Sequence, residues 1–384
     1  MKQKSFSWSR IAAVMLLVFV QAGITQAREL RYATGYPPNT AAVFAAEAYA
    51  NALKEHSNGE LSIKIYAGSL LSFQEASAGV RDGIADVSLL FMSYFPAEYP
   101  RSNMMSELTM LLELTGVTPD KAGIAYVGAL SEYIMRHCPE CADEFKRQNQ
   151  VFLGGGGSPP YWLLCNKPVR TLSELKGKRL RAGGAQWSRW ANALGGTPVS
   201  IAANEMYEGL SQGIIDCSMA VTTELTVWSL NEVVTDITLQ VPGGVYGASA
   251  TNFNANTWRG LSEQQRRAVM RASALFSADA TWRYTREGLD NLGNARENKK
   301  IRIHEPDAEL LEATVEFIEQ DMRTIAQAYG RQYGIKNPEQ MIADFRPLLD
   351  RWVELVQDVE SSSELADLYW REAFSKVDIS TYGL

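Results

Sequence analysis

Hydrophobic and polar positions alternate with two different periods along the chain, and together they predict a βαβαβ unit near the start. Residues 29–34, 61–66 and 86–91 alternate or run apolar over strand length and predict three strands. The apolar positions between Val43 and Leu53 recur at helical spacing, and residues 73–81 also predict a helix. Residues 104–150 are predicted to be mostly helical.

The same alternation returns in the second half of the chain. It predicts strands at residues 161–165, 179–182, 198–202 and 216–221, with helices between them. The glycines at 154–157 and the Ser-Pro-Pro after them predict a flexible crossing between the two units. A phosphate-binding loop is disfavoured because no Gly-Lys-Ser/Thr or Gly-x-Gly-x-x-Gly pattern surrounds them.

A ten-residue pattern occurs once in each unit, at Gly79–Ser88 and at Gly209–Ser218, with five of ten positions identical. In each copy a glycine suited to a left-handed helix cap leads into Ile-x-Asp-x-Ser and an apolar run. Each copy therefore predicts a helix that passes into a buried parallel strand. Two such units indicate an α/β fold with two similar lobes, and ligands of open α/β sheets bind at the carboxyl ends of the strands.

Two long helices are predicted beyond the second unit. Ser262 and Gln265 form a capping box that opens a helix to about Glu287, and apolar positions from Leu310 to Ile325 predict another after Pro306. These helices are expected to brace both lobes.

Residues 1–27 carry the features of a cleavable signal peptide. Lys2, Lys4 and Arg10 precede the apolar run 11–20, and small residues end the segment. The apolar run is about half of the ~20 residues that a membrane-spanning helix needs. The remaining chain has 34 Lys and Arg against 44 Asp and Glu, a net charge of −10 that disfavours nucleic acid as a partner.

The four cysteines predict two disulfides in an exported protein. The favoured pairs are Cys138 with Cys141 and Cys165 with Cys217, because the latter two stand at comparable points of two predicted strands. A redox-active Cys-x-x-Cys at 138–141 is the alternative. The strand that normally precedes such a motif is missing before His137.

Arg181 is the strongest candidate for a binding residue. It ends a predicted strand, and Ala182, Gly183 and Gly184 leave room for a ligand beside it. A guanidinium in this place can hold a carboxylate by two charge-assisted hydrogen bonds. A structural ion pair with a nearby acid such as Glu205 explains the position equally well from spacing alone.

Signals for catalysis or metal binding are weak. The three histidines, His56, His137 and His304, have no metal-ligand spacing, and no Gly-x-Ser-x-Gly nucleophile elbow occurs. We therefore expect no enzyme activity, no metal and no cofactor.

Several motifs with their order and spacing resemble the DctP-type solute-binding proteins of tripartite ATP-independent periplasmic (TRAP) transporters. The stretches that carry the resemblance are KPVRTLSELKGKRLR at 167–181, ALGGTPV at 193–199, EMYEGL at 205–210 and GIID at 213–216. NTWRGLSEQQ at 256–265 also fits. The resemblance covers nearly all of the chain after the signal peptide.

This resemblance implies an α/β, two-lobed periplasmic-binding-protein-like fold with long C-terminal bracing helices. Lobe 1 would comprise residues 28–158 and about 247–287, and lobe 2 residues 159–246 and about 288–384. The expected function is periplasmic capture of a small organic acid between the hinged lobes and its delivery to the TRAP membrane permease subunits. A thiol-disulfide oxidoreductase using Cys138 and Cys141, or a ligand sensor subunit, remains an alternative.

The resemblance assigns the ligand carboxylate to Arg181 and implies a pocket that differs from that of many members. Ala220 stands where many members have an asparagine, and the strand at 160–165 lacks a second arginine that sialic-acid binders carry. A more apolar pocket and a monocarboxylate ligand are therefore expected. The expected ligand-binding residues are Arg181, Tyr36, Phe73, Met92, Trp162, Ala220, Thr222 and Trp228. The identity of the ligand, the oligomeric state and a metal ion bridging the ligand are left open.

Overall fold

The computed structural model describes residues 27–298 and 300–384, so the predicted signal peptide lies, apart from Ala27, outside the described residues. The strands in chain order are β1 (Arg28–Thr34), β2 (Leu61–Ala67), β3 (Val87–Leu90), β4 (Gln150–Phe152), β5 (Gly155–Gly157), β6 (Trp162–Cys165), β7 (Arg179–Arg181), β8 (Thr197–Val199), β9 (Cys217–Ala220), β10 (Asp236–Pro242), β11 (Gly247–Asn254) and β12 (Arg302–His304). The α-helices are α1 (Ala41–His56), α2 (Ala76–Arg81), α3 (Pro100–Glu107), α4 (Pro119–Glu132), α5 (Pro139–Arg147), α6 (Leu172–Leu175), α7 (Ala185–Ala193), α8 (Met206–Ser211), α9 (Glu224–Val227), α10 (Ala255–Arg259), α11 (Glu263–Asn298), α12 (Ala308–Tyr333), α13 (Pro338–Leu355) and α14 (Ser362–Glu372).

These strands form two mixed sheets, one for each predicted βαβ unit. The first sheet has the order β2-β1-β3-β11-β4, with β5 also paired to β11, and the second has the order β12-β10-β6-β9-β7-β8. The pairs β1–β2, β1–β3, β7–β8 and β7–β9 are parallel, whereas β11 and β6 run antiparallel to their neighbours. The two-lobed α/β fold predicted from the sequence is confirmed.

The repeated ten-residue pattern folds the same way in both lobes. Gly83 and Gly213 adopt φ values of 75° and 67° and end α2 and α8 before β3 and β9 begin. Asp86 then accepts hydrogen bonds from the backbone N–H and Nε of Arg31 on β1, and Asp216 does the same with Arg179 on β7. The aspartate of the repeat therefore ties each helix-to-strand turn to the neighbouring parallel strand.

The glycine run is ordered into the first sheet, so the predicted flexible crossing is wrong at these residues. Residues 155–157 form β5, which pairs with residues 247–249 of β11. A Cβ atom at Gly157 would lie 2.6 Å from Val127, so glycine is needed for close packing on α4. The chain crosses between the lobes at residues 158–161 and again at 243–246. The backbone N–H of Tyr161 in the first crossing donates a hydrogen bond to the carbonyl of Gly244 in the second, at 2.8 Å.

Long helices join the two lobes, as predicted, although their bounds differ. The helix α11 does not end near Glu287 but continues to Asn298, a length of about 54 Å at 1.5 Å per residue. It packs on α1 and α14 near the first sheet and on α9 and β12 near the second, while α12 contacts both α3 and α7. No helix in the described ranges is both long and apolar enough to cross a membrane.

The sequence-based division placed residues 288–384 in the second lobe, and this is corrected for the last two long helices. The helices α13 and α14 pack on α4 and α11, and their buried side chains join the hydrophobic core of the first sheet. The indole of Trp352 is fully buried there, against Gly128 on α4. Burial of the apolar faces of α13 and α14 against α4 and α11 explains the placement.

Both predicted disulfides are present, Cys138–Cys141 and Cys165–Cys217. Cys165 and Cys217 face each other on β6 and β9 with their Cα atoms 4.0 Å apart, slightly closer than the range expected for a disulfide. They form a non-hydrogen-bonded pair of the ladder, the position at which antiparallel strands approach most closely. Cys138 and Cys141 are both buried, so they lack the solvent exposure that thiol exchange requires.

Candidate functional site

A cavity lies between the two sheets, at the carboxyl ends of their parallel strands. Tyr36 follows β1, Phe91 follows β3, Arg181 ends β7 and Glu224 follows β9, so each lobe contributes residues from its strand ends. The rest of the wall includes residues of α1, β3, β5, β11 and α11 and the residue that follows β9. Its apolar part is made by Ala42, Leu89, Val221, Ala248, Ala250 and Ala280.

Arg181 is the cationic group of this cavity and is 2% exposed. Its Nε donates to the backbone carbonyl of Ile201 at 3.1 Å, which fixes the plane of the guanidinium. Among the described residues, no hydrogen bond or salt bridge occupies Nη1 or Nη2. The proposed ion pair with Glu205 does not form, because the Glu205 carboxylate accepts from the backbone N–H of Ala202.

Contacts between the lobes close the cavity over Arg181. Ser93 donates to the carbonyl of Gly183 at 3.0 Å, and the backbone N–H of Ala203 donates to the Tyr94 hydroxyl at 3.1 Å. Glu113 accepts from the N–H of Gly244 on the second crossing. The structure therefore has the closed arrangement, in which a ligand would be held away from water.

Aromatic side chains form the polar and stacking surface around the guanidinium. Tyr161 stacks on Trp187 with ring centroids 3.8 Å apart, and Trp187 Nε1 donates to Gly243 O at 3.0 Å. Tyr94, Tyr161 and Tyr246 line the same cavity as Arg181. This part of the cavity thus combines one fixed positive charge with phenol groups, a setting that suits a carboxylate.

The structure brings only two of the eight predicted ligand-binding residues to the cavity surface, Arg181 and Tyr36. Phe73 and Trp228 pack on the Tyr36 ring, with centroid distances of 5.1 Å and 6.1 Å, and so support the wall from behind. Thr222 donates to the carbonyl of Gly288 and ties the segment after β9 to α11.

The other three predicted residues, Met92, Trp162 and Ala220, lie away from the cavity, each one position from a residue that lines it. Phe91, Tyr161 and Val221 face the cavity instead. Trp162 and Ala220 are cross-strand partners in the hydrophobic cluster on the opposite face of the second sheet, and Met92 belongs to the core of the first. For Trp162 on β6 and Ala220 on β9, successive side chains of a strand point to opposite faces, so a shift of one residue reverses the face.

This correction changes the argument for an apolar pocket. Ala220 and Trp162 do not make the cavity less polar, because they face away from it. The apolar wall is made by Leu89, Phe91 and Val221 together with small residues of β11 and α11.

Glu224 is the functional candidate that sequence reasoning missed. It is 6% exposed and lines the cavity, and its Oε1 accepts a hydrogen bond from the Tyr284 hydroxyl on α11. Burial raises the pKa of Glu224 to about 7, and hydrogen bonding by Tyr284 and the charge of Arg181 offset part of that effect. The sequence offered no signal for it, because Glu224 is one acid among 44 and its partner is 60 residues away.

Within the described ranges, no three His, Cys, Asp or Glu side chains lie together in a way that could hold a metal ion.

Substituting Gly183 tests how closely the Arg181 guanidinium is confined. A Cβ atom at residue 183 would lie 3.0 Å from Nη1 and 3.1 Å from Nη2, so Gly183→Ala must displace the guanidinium. We expect roughly tenfold weaker carboxylate binding, the loss of about one charge-assisted hydrogen bond, with little change in the melting temperature. Calorimetric titration and thermal unfolding measure both.

Gly293→Ala is the matched control, because a Cβ atom there meets no atom within 4 Å. Its carboxylate affinity should equal that of the wild type. Unchanged affinity in Gly183→Ala as well would show that the guanidinium is not confined by residue 183.

The fold and the site define a class of protein: two α/β lobes closed over a buried cavity with a cationic group. The family model for "Bacterial extracellular solute-binding protein, family 7", named DctP, matches residues 32–328. The chain therefore belongs to this family, as its motifs indicated.

Curated relatives match only part of the chain. A solute-binding protein of Albidiferax ferrireducens is 25% identical over 194 residues, which cover 50% of this chain and 53% of the relative. One of Chromohalobacter salexigens is 25% identical over 211 residues, covering 53% of this chain and 59% of the relative. The matches thus span little more than half the length of these relatives.

Solved structures match over more of the fold. A marine metagenome TRAP solute-binding protein specific for aromatic acid ligands, in complex with 3-hydroxybenzoate, has a TM-score of 0.73 and 17% identity, covering 85% of this chain and 99% of that one. Another from an unidentified marine microbe, specific for pyroglutamate, has a TM-score of 0.71 and 17% identity, covering 84% and 99%. At this identity the likeness establishes the fold.

Proposed function

We propose that this protein is the periplasmic solute-binding subunit of a TRAP transporter, which captures an organic monocarboxylate between its lobes and delivers it to the membrane permease. The observation that carries the proposal is the Arg181 guanidinium, buried in a closed cavity with Nη1 and Nη2 unoccupied. An unpaired buried cation is costly, and a ligand carboxylate bound by two parallel hydrogen bonds would compensate it.

The mechanism follows from the position of the cavity between lobes. Ligand binding favours the closed form to the extent that the ligand contacts both lobes, and here Tyr36 and Phe91 of one lobe face Arg181 and Val221 of the other. The hydrogen bonds from Ser93 to Gly183 and from Ala203 to Tyr94 form only when the lobes meet. The closed form is then the species that the permease would recognise.

Family membership supports this role over the alternatives. Extracellular solute binding is the family description, and both cysteine residues of the 138–141 motif are buried in a disulfide. Binding requires no bond to be made or broken, and the cavity residues serve binding without a catalytic role.

A monocarboxylate with a cyclic or aromatic body is the expected ligand class. The cavity has one cation, Arg181, and an apolar wall, so the second charge of a dicarboxylate would have no cationic partner among the residues lining it. The two similar structures described above bind ligands of this class, 3-hydroxybenzoate and pyroglutamate. In a thermal-shift screen, monocarboxylates with a small apolar or aromatic ring should raise the melting temperature more than the dicarboxylates succinate and malate or the large, polar sialic acid.

Two measurements test the proposed function. Mass spectrometry of small molecules released from protein purified without refolding should identify a monocarboxylic acid. Stronger stabilisation by a C4-dicarboxylate than by any monocarboxylate in the panel would contradict the ligand class, and no binding of any organic acid would contradict the function itself.

A further inference from the structure

The cavity contains a second ionisable group whose hydrogen-bonding capacity is not used up by the protein. Glu224 Oε1 accepts from Tyr284, but Oε2 is buried without a hydrogen-bond partner. Although both residues line the cavity, Glu224 and Arg181 form no ion pair within 4.0 Å. Arg181 therefore leaves the Glu224 carboxyl free to respond to what enters the cavity.

The groups that face Glu224 come from several elements. Tyr284 and Glu287 lie on α11, Tyr36 follows β1, Tyr161 precedes β6 and Arg181 ends β7. On its own side of the cavity, the indole N–H of Trp228 is close by without making a hydrogen bond of good geometry. Arg181 is the single cation in this set, and Glu287 is the only other carboxylate.

Charge neutrality determines how Glu224 must respond to a ligand. With Arg181 alone, the cavity is positive when Glu224 is protonated and neutral when Glu224 is ionised. A ligand carboxylate that binds Arg181 supplies the negative charge, and an ionised Glu224 would then be a second, uncompensated anion in a buried space. The stable bound state has a neutral Glu224, which can both donate and accept a hydrogen bond.

We propose that Glu224 is a ligand-recognition residue that binds the polar hydroxyl or amide group of a monocarboxylate in its protonated form, so that capture of the ligand takes up a proton above neutral pH. This inference rests on the proposed function, because the ligand carboxylate occupies Arg181. It adds to that function a second contact point and a ligand class: monoanions with a hydrogen-bonding group on a small ring. It would also disfavour a dicarboxylate, since protonation of Glu224 can offset only one excess negative charge.

The proposal fixes the direction in which ligand affinity changes with pH. Below about pH 7 Glu224 is already protonated in the free protein, so the affinity is independent of pH. Above that pH, binding must first protonate Glu224, and the affinity should fall by up to about tenfold per pH unit. Proton uptake should approach about one per ligand near pH 8 and vanish near pH 6.

Calorimetric titration in two buffers with different ionisation enthalpies measures this proton uptake directly. The probe is the tightest-binding acid of a panel that includes pyroglutamate, 3-hydroxybenzoate, mandelate and benzoate, at pH 6, 7 and 8. The wild type should take up a proton at pH 8, while Glu224→Gln should take up none and show a flat pH profile. At pH 6 the affinity of Glu224→Gln should stay within about tenfold of the wild type, because an amide retains a donor and an acceptor.

Glu287→Gln is the matched control, since it removes a nearby carboxylate that does not line the cavity. It should retain proton uptake at pH 8. The proposal is overturned if the wild type binds the acid without proton uptake, or if Glu224→Gln loses binding equally at every pH, as expected when an ionised Glu224 pairs with a cationic ligand group. Failure of the proposed function is distinct: the wild type would bind no acid of the panel, or Arg181→Ala would bind as the wild type does.

Discussion

Arg181→Ala is expected to weaken binding of the monocarboxylate by roughly two to three orders of magnitude while the protein still folds. The loss is large because a ligand carboxylate would enter a buried cavity without a cationic partner, a change that costs about 3–5 kcal/mol. The fold should persist because Arg181 makes one hydrogen bond within the protein, from Nε to Ile201 O. Calorimetric titration with the tightest-binding acid from the screen measures the affinity.

Arg181→Lys separates geometry from charge. Lysine keeps the positive charge but cannot form two parallel hydrogen bonds to a carboxylate, so binding should weaken by roughly one to two orders of magnitude. Circular dichroism and thermal unfolding serve as the controls for folding in both variants. Near-wild-type affinity in a folded Arg181→Ala protein would show that the carboxylate is bound elsewhere.

Arg189→Met is expected to lower the free energy of unfolding by roughly 3–5 kcal/mol. Arg189 on α7 donates two hydrogen bonds to Asp321 on α12, at 2.7 and 2.9 Å, and a third to Glu107 on α3, at 2.8 Å. Both carboxylates are almost fully buried, at 3% and 2% exposure. Removing the guanidinium leaves two buried negative charges without a cation, and chemical denaturation at pH 7 measures the consequence.

The loss of unfolding free energy in Arg189→Met should become smaller at acidic pH. Burial already raises the pKa of Glu107 in the wild type, and without the opposing charge of Arg189 the folded state would hold a proton on Glu107 more tightly than the unfolded state does. The folded variant therefore gains stability relative to the wild type as the pH falls from 7 to 5.

Two further variants check the interpretation. Combining Arg189→Met with Glu107→Gln and Asp321→Asn should recover much of the lost stability, because the uncompensated charges are gone. Arg267→Met breaks an exposed pair with Glu263 and should cost less than about 1 kcal/mol. If Arg189→Met lowers the free energy of unfolding by no more than Arg267→Met does, the buried carboxylates are compensated in another way.

Local sequence patterns predicted most of the secondary structure correctly. The repeated Gly-Ile-x-Asp pattern folded as two helix-to-strand turns because its requirements are local: a residue that tolerates positive φ and an aspartate that reaches the next strand. The glycine run was misjudged because its composition is typical of a flexible segment. Its role in the sheet depends on β11, which lies about 90 residues later in the chain.

Of the eight residues predicted for the candidate site, the structure places Arg181 and Tyr36 at the cavity, and it places Met92, Trp162 and Ala220 one position from residues that line it. Arg181 was a candidate because it ends a predicted strand beside two glycines, and the family resemblance, not its spacing, favoured ligand binding over a structural ion pair. Trp162 and Ala220 were misplaced by one position each because both faces of the second sheet are covered, so neighbouring residues are equally hydrophobic. Met92 was misplaced in the same way next to Phe91, since both residues are buried and apolar. No hydrophobic pattern can then tell the cavity face from the opposite face.

The sequence by itself determined the two α/β units, their repeated turn and the Cys138–Cys141 pair, since each depends on residues close together in the chain. It also indicated the Cys165–Cys217 pair, from comparable points on two predicted strands, and Arg181 as the candidate arginine of the site, from its strand end and a family motif. Only the tertiary structure decided which face of β6 and β9 lines the cavity, that Glu224 shares that cavity with Arg181, and that α13 and α14 join the first lobe. These outcomes depend on contacts between residues far apart in sequence, such as Tyr284 with Glu224 and Trp352 with Gly128. Such contacts form when elements pack to bury apolar surface, and the local pattern of any one segment does not specify its partner.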